Sequence, residues 1–408
     1  MKYLFIHQNF PGQFLHLVHH LGARGRDEVV FITEGNANAI PGVRKVAYHR
    51  PPPAAAATHI AAREFDLAVR RAEAVARNAA TLKALGFTPD IVIGHHGWGE
   101  LLNIRDDWPD VPLLGYFEFF YRTAGSDVGF DPEFPTGVED HARIRAKNNV
   151  NLQALALDAA GQTPTLWQLS TYPAWAQPNI SVLTEGVHLD VCAPDPLAAQ
   201  QPLTVGGLTI LPGEKLVTYV ARDLEPYRGF HIMMRTLPML LAARPDIRVV
   251  MVGGDGVSYG AAPHGTTWRA HMLKEIGAGF DPARVVFPGR VEYAEYIKLL
   301  QRSDAHVYLT YPFVASWSLR EAIAMGCAMI GSDTAPVREF ITHGRTGLLA
   351  PFHDPRGVAD AVLRVLEDTK LARRLRAGAR KWAEANLAMG DYLAAYEEFI
   401  RQTIQSKN

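Results

Sequence analysis

Cysteine is scarce: Cys192 and Cys327 are the only two in 408 residues. A pair so widely separated makes neither a disulfide framework nor a cysteine-rich metal cluster, which argues against a zinc site and fits a reducing compartment. A charge excess is equally lacking, since 41 Lys and Arg stand against 42 Asp and Glu for a net charge of -1. The chain as a whole therefore lacks the basic footprint of a nucleic-acid binder, and it has no acidic tail. No apolar run reaches the length of a membrane span. The opening "MKYLFIHQNFPGQF", with one lysine and a short apolar run before Pro11, reads as a buried strand rather than a signal peptide. Internal repeats are missing too, and low complexity is confined to "PPPAAAA" at Pro51–Ala57.

What is present is a 48% hydrophobic chain long enough for two domains. Short apolar runs alternate with helical patterns, the signature of parallel strands joined by crossover helices. In the first half, "KYLFIHQ", "EVVFIT", "DIVIGHH" and "VPLLGYFEF" read as strands buried on both faces, with helical stretches from Ala54 to Leu85 and from Asp140 to Ala160. The Pro-rich, polar stretch "VCAPDPLAAQQPLTVGG" then breaks the pattern and places a hinge near residues 187–205. After it the alternation restarts with "KLVTYVA", "IRVVMVGG", "RVVFPG", "AHVYLTY" and "CAMIGSD", each followed by a helical stretch. The expectation is an α/β chain of two doubly wound, Rossmann-like lobes facing a central cleft. The first spans 1–190 and the second 191–388, and a helix over 389–408 packs back on the first. Ligands of such sheets bind outside the carboxyl ends of the strands, so the strand-to-helix loops hold the candidates.

Four loops carry unusual chemistry. In "HQNFPGQF", Gly12 lets backbone approach a ligand, and the following helix start suits an anion. "GHHGWGE" gathers His95, His96, Trp98 and Glu100, a polar and aromatic set suited to a ligand edge, although a lone histidine is as often a hydrogen-bonded packing residue. "GYFEFFYR" sets Glu118 among aromatic rings at a strand end, either paired with a neighbour such as Arg122 or with a raised pKa. "ARDLEPYRG" puts Arg222 and Arg228 on either side of a turn, where two guanidinium forks suit one diphosphate. Solvated surface arginines and a structural carboxylate pair are the bland alternatives.

The ordered series "ARDLEPYRGF", "VVMVGGDG", "VFPGRVEYAEYIKLLQRSDAHVYLTYPF" and "SLREAIAMGCAMIGSDTAPVREFITHGRTGLLAPFHDP" resembles the carboxyl-terminal lobe of the retaining family 4 glycosyltransferases, which have the two-lobed GT-B fold. The first half is similar, less specifically, to the amino-terminal lobe of a bacterial branch of that family, through "FPGQF", "HHGWGE", "LGYFEFFYR" and "TPTLWQLSTYP". The resemblance implies that Arg222 and Arg228 bind the donor diphosphate. It implies that Glu321 accepts hydrogen bonds from the nucleotide's ribose hydroxyls, and that Gly12, Gly254 and Arg338 border the donor. A lysine is more usual at Arg228, and the arginine spacing is one residue longer than usual. The family's first, sugar-contacting glutamate falls at Phe313, so Ser316 and Ser318 are the substitutes for reading sugar hydroxyls. Glu118 stands where a histidine near the reaction centre is common, which makes Glu118 the catalytic candidate of the first lobe, with Arg222 and Arg228 those of the second.

The implied activity is retaining transfer of a hexosyl group from a UDP- or GDP-sugar to a hydroxyl acceptor, in bacterial cell-surface glycoconjugate synthesis. No cofactor and no metal are expected: the arginines and a helix dipole carry the charge, and the Asp-x-Asp motif of metal-dependent transferases is missing. In relatives, amino-lobe surfaces like those around "HLVHHLGARGR" meet lipid headgroups or lipid-linked acceptors, which extends the implied partners to a membrane surface. The implied compartment is the cytoplasm, including the inner face of the membrane. Two rivals stand beside this reading: another enzyme on the same scaffold, such as a nucleotide-sugar epimerase, and a non-catalytic nucleotide- or glycan-binding subunit motivated by Phe313 and Glu118.

Overall fold

The computed structural model describes residues 1–407 and divides into two compact units. The first comprises Met1–Glu185 together with the chain from Gly390 onward, and the second comprises Gly186–Met389.

The first unit is built on seven parallel strands: β1 (Lys2–Ile6), β2 (Glu28–Glu34), β3 (Val43–Tyr48), β4 (Ile91–His95), β5 (Leu113–Tyr116), β6 (Ala160–Thr163) and β7 (Ile180–Val182). Their spatial order is β3-β2-β1-β4-β5-β6-β7. The chain thus winds outward from β1 and returns to lay β4 on its other side, creating a switch point between these two strands. Helix Arg63–Ala84 covers one face, burying Ala68, Ala72, Val75, Ala79 and Leu82 at alternating spacings of four and three, the stripe an amphipathic helix presents to a sheet. Val75, Ala79 and Leu82 of that stripe share a core with Leu4, Ile6, Val30, Ile32 and Val92. The strand read as "VPLLGYFEF" ends at Tyr116, so Glu118 lies beyond it. The long pattern before residue 160 breaks into helices His141–Lys147 and Asn149–Ala156.

Where the sequence suggested a linker, the second unit begins with an antiparallel hairpin, β8 (Leu203–Val205) and β9 (Leu208–Ile210). Then come β10 (Lys215–Asp223), β11 (Ile247–Gly254), β12 (Val285–Gly289), β13 (Ala305–Tyr308), β14 (Met329–Ser332) and β15 (Gly347–Ala350) in the order β12-β11-β10-β13-β14-β15. Every pair in this sheet is parallel, and the switch point lies between β10 and β13. Helix Trp317–Ala324 turns Leu319, Ala322 and Ile323 into a core shared with Ala379, Ala383 and Leu387.

The last helix, Met389–Gln405, belongs to the first unit. Glu397 on it meets His20 at 2.6 Å and also pairs with Arg24, Lys407 reaches Asp158 at 2.7 Å, and Tyr396 is buried. Among the described residues no helix is long and apolar enough to cross a membrane.

Candidate functional site

In the first unit, chemistry gathers at the carboxyl ends of β1, β4 and β5, flanking the switch point. Gly12 takes φ +56°, and a Cβ there would sit 2.8 Å from the His7 ring, so only glycine lets the loop after β1 close over this imidazole. His7 is buried, and its Nδ1 accepts the Asn9 N–H at 2.8 Å. Burial, and then the neighbouring His95, push its pKa well below the usual histidine value, so it is neutral at pH 7. Its ring meets that of His95 edge-on, with centroids 5.1 Å apart.

His95 accepts the Gly97 N–H at Nδ1 over 2.9 Å, which leaves the neutral ring's proton on Nε2. That atom lies 3.5 Å from Oε2 of Glu118, too far for a formed hydrogen bond. The other carboxylate oxygen, Oε1, accepts from Gln13 Nε2 at 3.2 Å. Glu118 is held by its backbone as well: its carbonyl accepts from Gln168 Nε2 at 2.8 Å, and Gln168 is itself fixed by Thr165, the cap of the helix Leu166–Thr171. Trp98 is partly exposed and stands near His95, with ring centroids 6.2 Å apart.

His96 and Glu100, expected beside His95 at the ligand edge, lie outside this cluster of side-chain contacts. His96 is buried against Phe117, with ring centroids 4.6 Å apart, and burial takes its pKa down to about 3. A Cβ at residue 115 would lie 2.0 Å from its Nε2, so Gly115 is the space this ring occupies. Glu100 is fully enclosed and accepts from the Tyr48 hydroxyl at 3.1 Å. Burial raises its pKa, only partly offset by Arg71 and Tyr48. A carboxyl that holds its proton more tightly folded than unfolded loses its stabilising contribution as pH rises from the unfolded value, about 4.3, through the raised folded value. Glu100→Gln is therefore expected to keep transfer activity and to melt at the same or a higher temperature at pH 8, as scanning calorimetry would show; a loss of turnover would return Glu100 to the site.

In the second unit, the carboxyl ends of β10, β11, β13 and β14 carry the candidates. The sequence "EPYRGF" starts a 3-10 turn at Pro226 and exits through Gly229, whose φ of +69° and close approach to Leu309 exclude a side chain. This geometry carries Arg228 inward. Its Nη1 donates to Thr310 Oγ1 at 3.0 Å and to the Val314 carbonyl at 2.8 Å, and its guanidinium stands 5.1 Å from the centre of the Tyr259 ring. Arg222, where the pairing of β10 with β11 shifts register, is exposed. Gly254 pairs with Asp223 across these strands, and a Cβ would lie 2.6 Å from the Asp223 carboxylate.

Phe313 is buried edge-on against Tyr259 and Tyr227, with centroids 4.9 and 5.8 Å away. At the position where the resembling family has a carboxylate, this chain has an aromatic wall. Ser316 and Ser318 share a hydrogen bond between hydroxyls at 2.7 Å, and the Ser316 N–H donates to the Tyr308 hydroxyl at 2.8 Å. Glu321 accepts from Tyr293 at Oε1 over 2.9 Å and from Tyr296 at Oε2 over 2.8 Å. Arg338 is exposed and paired with Asp333 at 2.6 Å.

Three residues in these clusters escaped the sequence reading: His7, Gln13 and Glu225. Glu225 is fully buried, and its Oε2 accepts the N–H groups of Ser258 and Tyr259 at 3.0 and 2.9 Å. It thereby ties down the loop that lays Tyr259 over Arg228, and burial raises its pKa to about 7. The signal for Glu225 was its place between the two arginines.

Two parallel doubly wound sheets, each with its chemistry at a switch point, are the two lobes of a GT-B fold. Residues 25–192 match the family described as "Glycosyl transferase family 4 group", and residues 207–382 match "Glycosyl transferases group 1". The chain belongs to the family 4 group of glycosyltransferases. It is similar to the D-inositol 3-phosphate glycosyltransferases of Nocardioides sp., 28% identical over 77% of this chain and 66% of that protein, and of Jonesia denitrificans, 26% identical over 76% and 71%. The alignment thus spans about two thirds of these relatives' length. Among solved structures, sucrose-phosphate synthase from Thermosynechococcus elongatus superposes over 100% of both chains at 17% identity and a TM-score of 0.74. Anabaena HepE in complex with UDP-glucose covers 98% of this chain and 100% of its own at 14% identity and a TM-score of 0.68. These two likenesses speak for the fold alone.

Proposed function

We propose that the protein is a retaining hexosyltransferase that moves a sugar from a nucleoside-diphosphate donor, UDP- or GDP-linked, to a hydroxyl acceptor in bacterial cell-surface glycoconjugate synthesis. The observation that carries this reading is the inward-turned guanidinium of Arg228, anchored at Nη1 by Thr310 and Val314 at the switch point of the second sheet. A cation fixed in this way, with Arg222 at the end of the strand that leads into its turn, suits a diphosphate that gains charge as it leaves. Glu321, with one phenol on each oxygen, keeps lone pairs for a vicinal diol such as that of ribose. Anabaena HepE, solved with UDP-glucose, makes UDP the first nucleotide to test.

In the proposed reaction the bond between the sugar's anomeric carbon and the diphosphate oxygen breaks. The acceptor oxygen bonds to that carbon on the same face, and the acceptor proton passes to the departing diphosphate. The reading assigns the diphosphate charge to Arg222 and Arg228 rather than to a metal. Glu118, His95, Gln13 and Trp98 in the first unit form the acceptor side, and a lipid-linked acceptor at a membrane surface belongs to the same reading. Phe313 supports one rival, a subunit that binds the nucleotide without turnover, because no carboxylate stands at that position to hold sugar hydroxyls.

The test is a thermal-shift panel of UDP, GDP, ADP and dTDP with their sugar conjugates, followed by nucleoside-diphosphate release with candidate acceptors and the product's anomeric configuration by NMR. One nucleotide is expected to raise Tm, and Glu321→Ala is expected to abolish the shift. Absence of any shift in folded protein would count against the donor assignment. A shift without turnover over the acceptor panel would favour the non-catalytic rival.

A further inference from the structure

Glu321 lies on helix Trp317–Ala324 and is largely shielded from water, yet both its oxygens are engaged by phenols of one other helix, Tyr293–Arg302. Tyr293 and Tyr296 are separated by three residues, so they share a helix face, and their rings stack at 5.8 Å with planes 28° apart. Tyr296 is buried while Tyr293 is half exposed. Behind Tyr293 stands the buried thiol of Cys192, its Sγ 3.4 Å from the phenol oxygen. Burial raises that thiol's pKa to about 11, so at neutral pH it holds its proton and can donate to the tyrosine, which leaves the phenolic hydrogen for Glu321.

We propose that Tyr293 and Tyr296 are positioning residues that hold Glu321 as an ionised, correctly turned acceptor for the diol of the nucleotide's ribose, with Cys192 orienting Tyr293. The inference rests on the donor reading given above and deepens it. A carboxylate taken out of water needs donors to stay charged; cations would serve but would compete for the oxygens that must receive a sugar diol. Two neutral phenols satisfy one lone pair on each oxygen and leave the others open. The groups facing Glu321 are Tyr293 and Tyr296, the neighbouring Arg320, Cys192 behind Tyr293 and Cys327 beside Tyr296. Burial raises the Glu321 pKa, while Tyr296, Tyr293 and Arg320 oppose it in that order. Removing a phenol hydroxyl therefore raises it further, and a larger share of Glu321 is protonated at any given pH near that value.

The experiment measures binding of UDP and GDP by calorimetry from pH 5.5 to 8.5, using wild type, Tyr293→Phe, Tyr296→Phe and Glu321→Gln. Each Tyr→Phe variant is expected to weaken binding by roughly fivefold or more at the acid end, as a larger share of Glu321 is protonated, and to recover toward wild type as pH rises. Glu321→Gln is expected to be weak at every pH. Tyr293 is half exposed, so Tyr293→Phe keeps the test meaningful should Tyr296→Phe fold poorly. A pH-independent loss in Tyr293→Phe, or none, with wild type binding and Glu321→Gln not, would overturn the inference and leave the donor reading standing. Failure of wild type to bind either nucleotide would remove both.

Discussion

Replacing Arg228 with alanine is expected to lower kcat/KM for sugar transfer by about a hundredfold to a thousandfold, the usual cost of removing one fixed charge or donor aimed at a developing anion. Nη1 is held by a threonine hydroxyl and a backbone carbonyl, and the Tyr259 ring faces the guanidinium. The guanidinium is therefore oriented before any donor arrives, and no reorganisation is needed as charge moves onto the diphosphate. Alanine also leaves Thr310 Oγ1 and the Val314 carbonyl without this donor, so some loss of stability accompanies the kinetic effect. Arg228→Lys separates the two contributions: it restores a charge but not a planar fork, and recovery to within about tenfold of wild type is expected. Steady-state kinetics with varied donor, on variants whose melting is checked first, decide the matter. An Arg228→Ala variant with unchanged kcat/KM would show that the diphosphate is bound elsewhere.

The parts of this molecule that were legible in the sequence are those where one physical signal dominates. Strands buried on both faces, such as β4 and β11, show as unbroken apolar runs, and their loops point to the switch points. Strands β3, β6 and β7 did not show. β3 has mixed exposure along its length, while β6 and β7 are only four and three residues long and include Gln162 and Ser181. The hairpin of β8 and β9 carried its own signal: Gly206 and Gly207, both at positive φ, separate "LTV" from "LTI". Proline-rich surroundings made the stretch read as a linker instead.

For the candidate site, Arg228 and Glu321 stood out through the motifs that carry the family resemblance. What holds them did not. Tyr296 and Glu321 are separated by 25 positions, Gln13 and Glu118 by 105, and no spacing rule joins such partners. Burial also hid two features. "GHHGWGE" is dense in polar groups, but the 3-10 turn after β4 buries His96 and Glu100, and Gly115 and Tyr48 accommodate them there. A charge within a turn, as Glu225 is, reads as solvated until the backbone N–H groups of Ser258 and Tyr259 are seen to converge on it.

Glu118→Gln is expected to reduce kcat by about a hundredfold, within the range for a side chain that handles a proton or a developing charge. Glutamine has the same shape and keeps an oxygen for Gln13, so only the charge, and with it the attraction to His95, is lost. The loop itself does not depend on the carboxylate. Its backbone is pinned by Gln168 through the Glu118 carbonyl and by the Phe117 N–H bonded to Gln162 at 2.8 Å. A structural role would therefore leave kcat nearly intact in Glu118→Gln and harm only variants that disturb Gln168 or Thr165. A role on the acceptor side predicts the opposite: kcat falls while the affinity for the nucleoside diphosphate, read by calorimetry, stays within about twofold of wild type. His95→Ala is expected to follow Glu118→Gln, and the double variant to be little worse than either, because the two groups act as one pair. Additive losses would assign them separate tasks, and an active Glu118→Gln enzyme would move the acceptor chemistry to other residues of the first sheet.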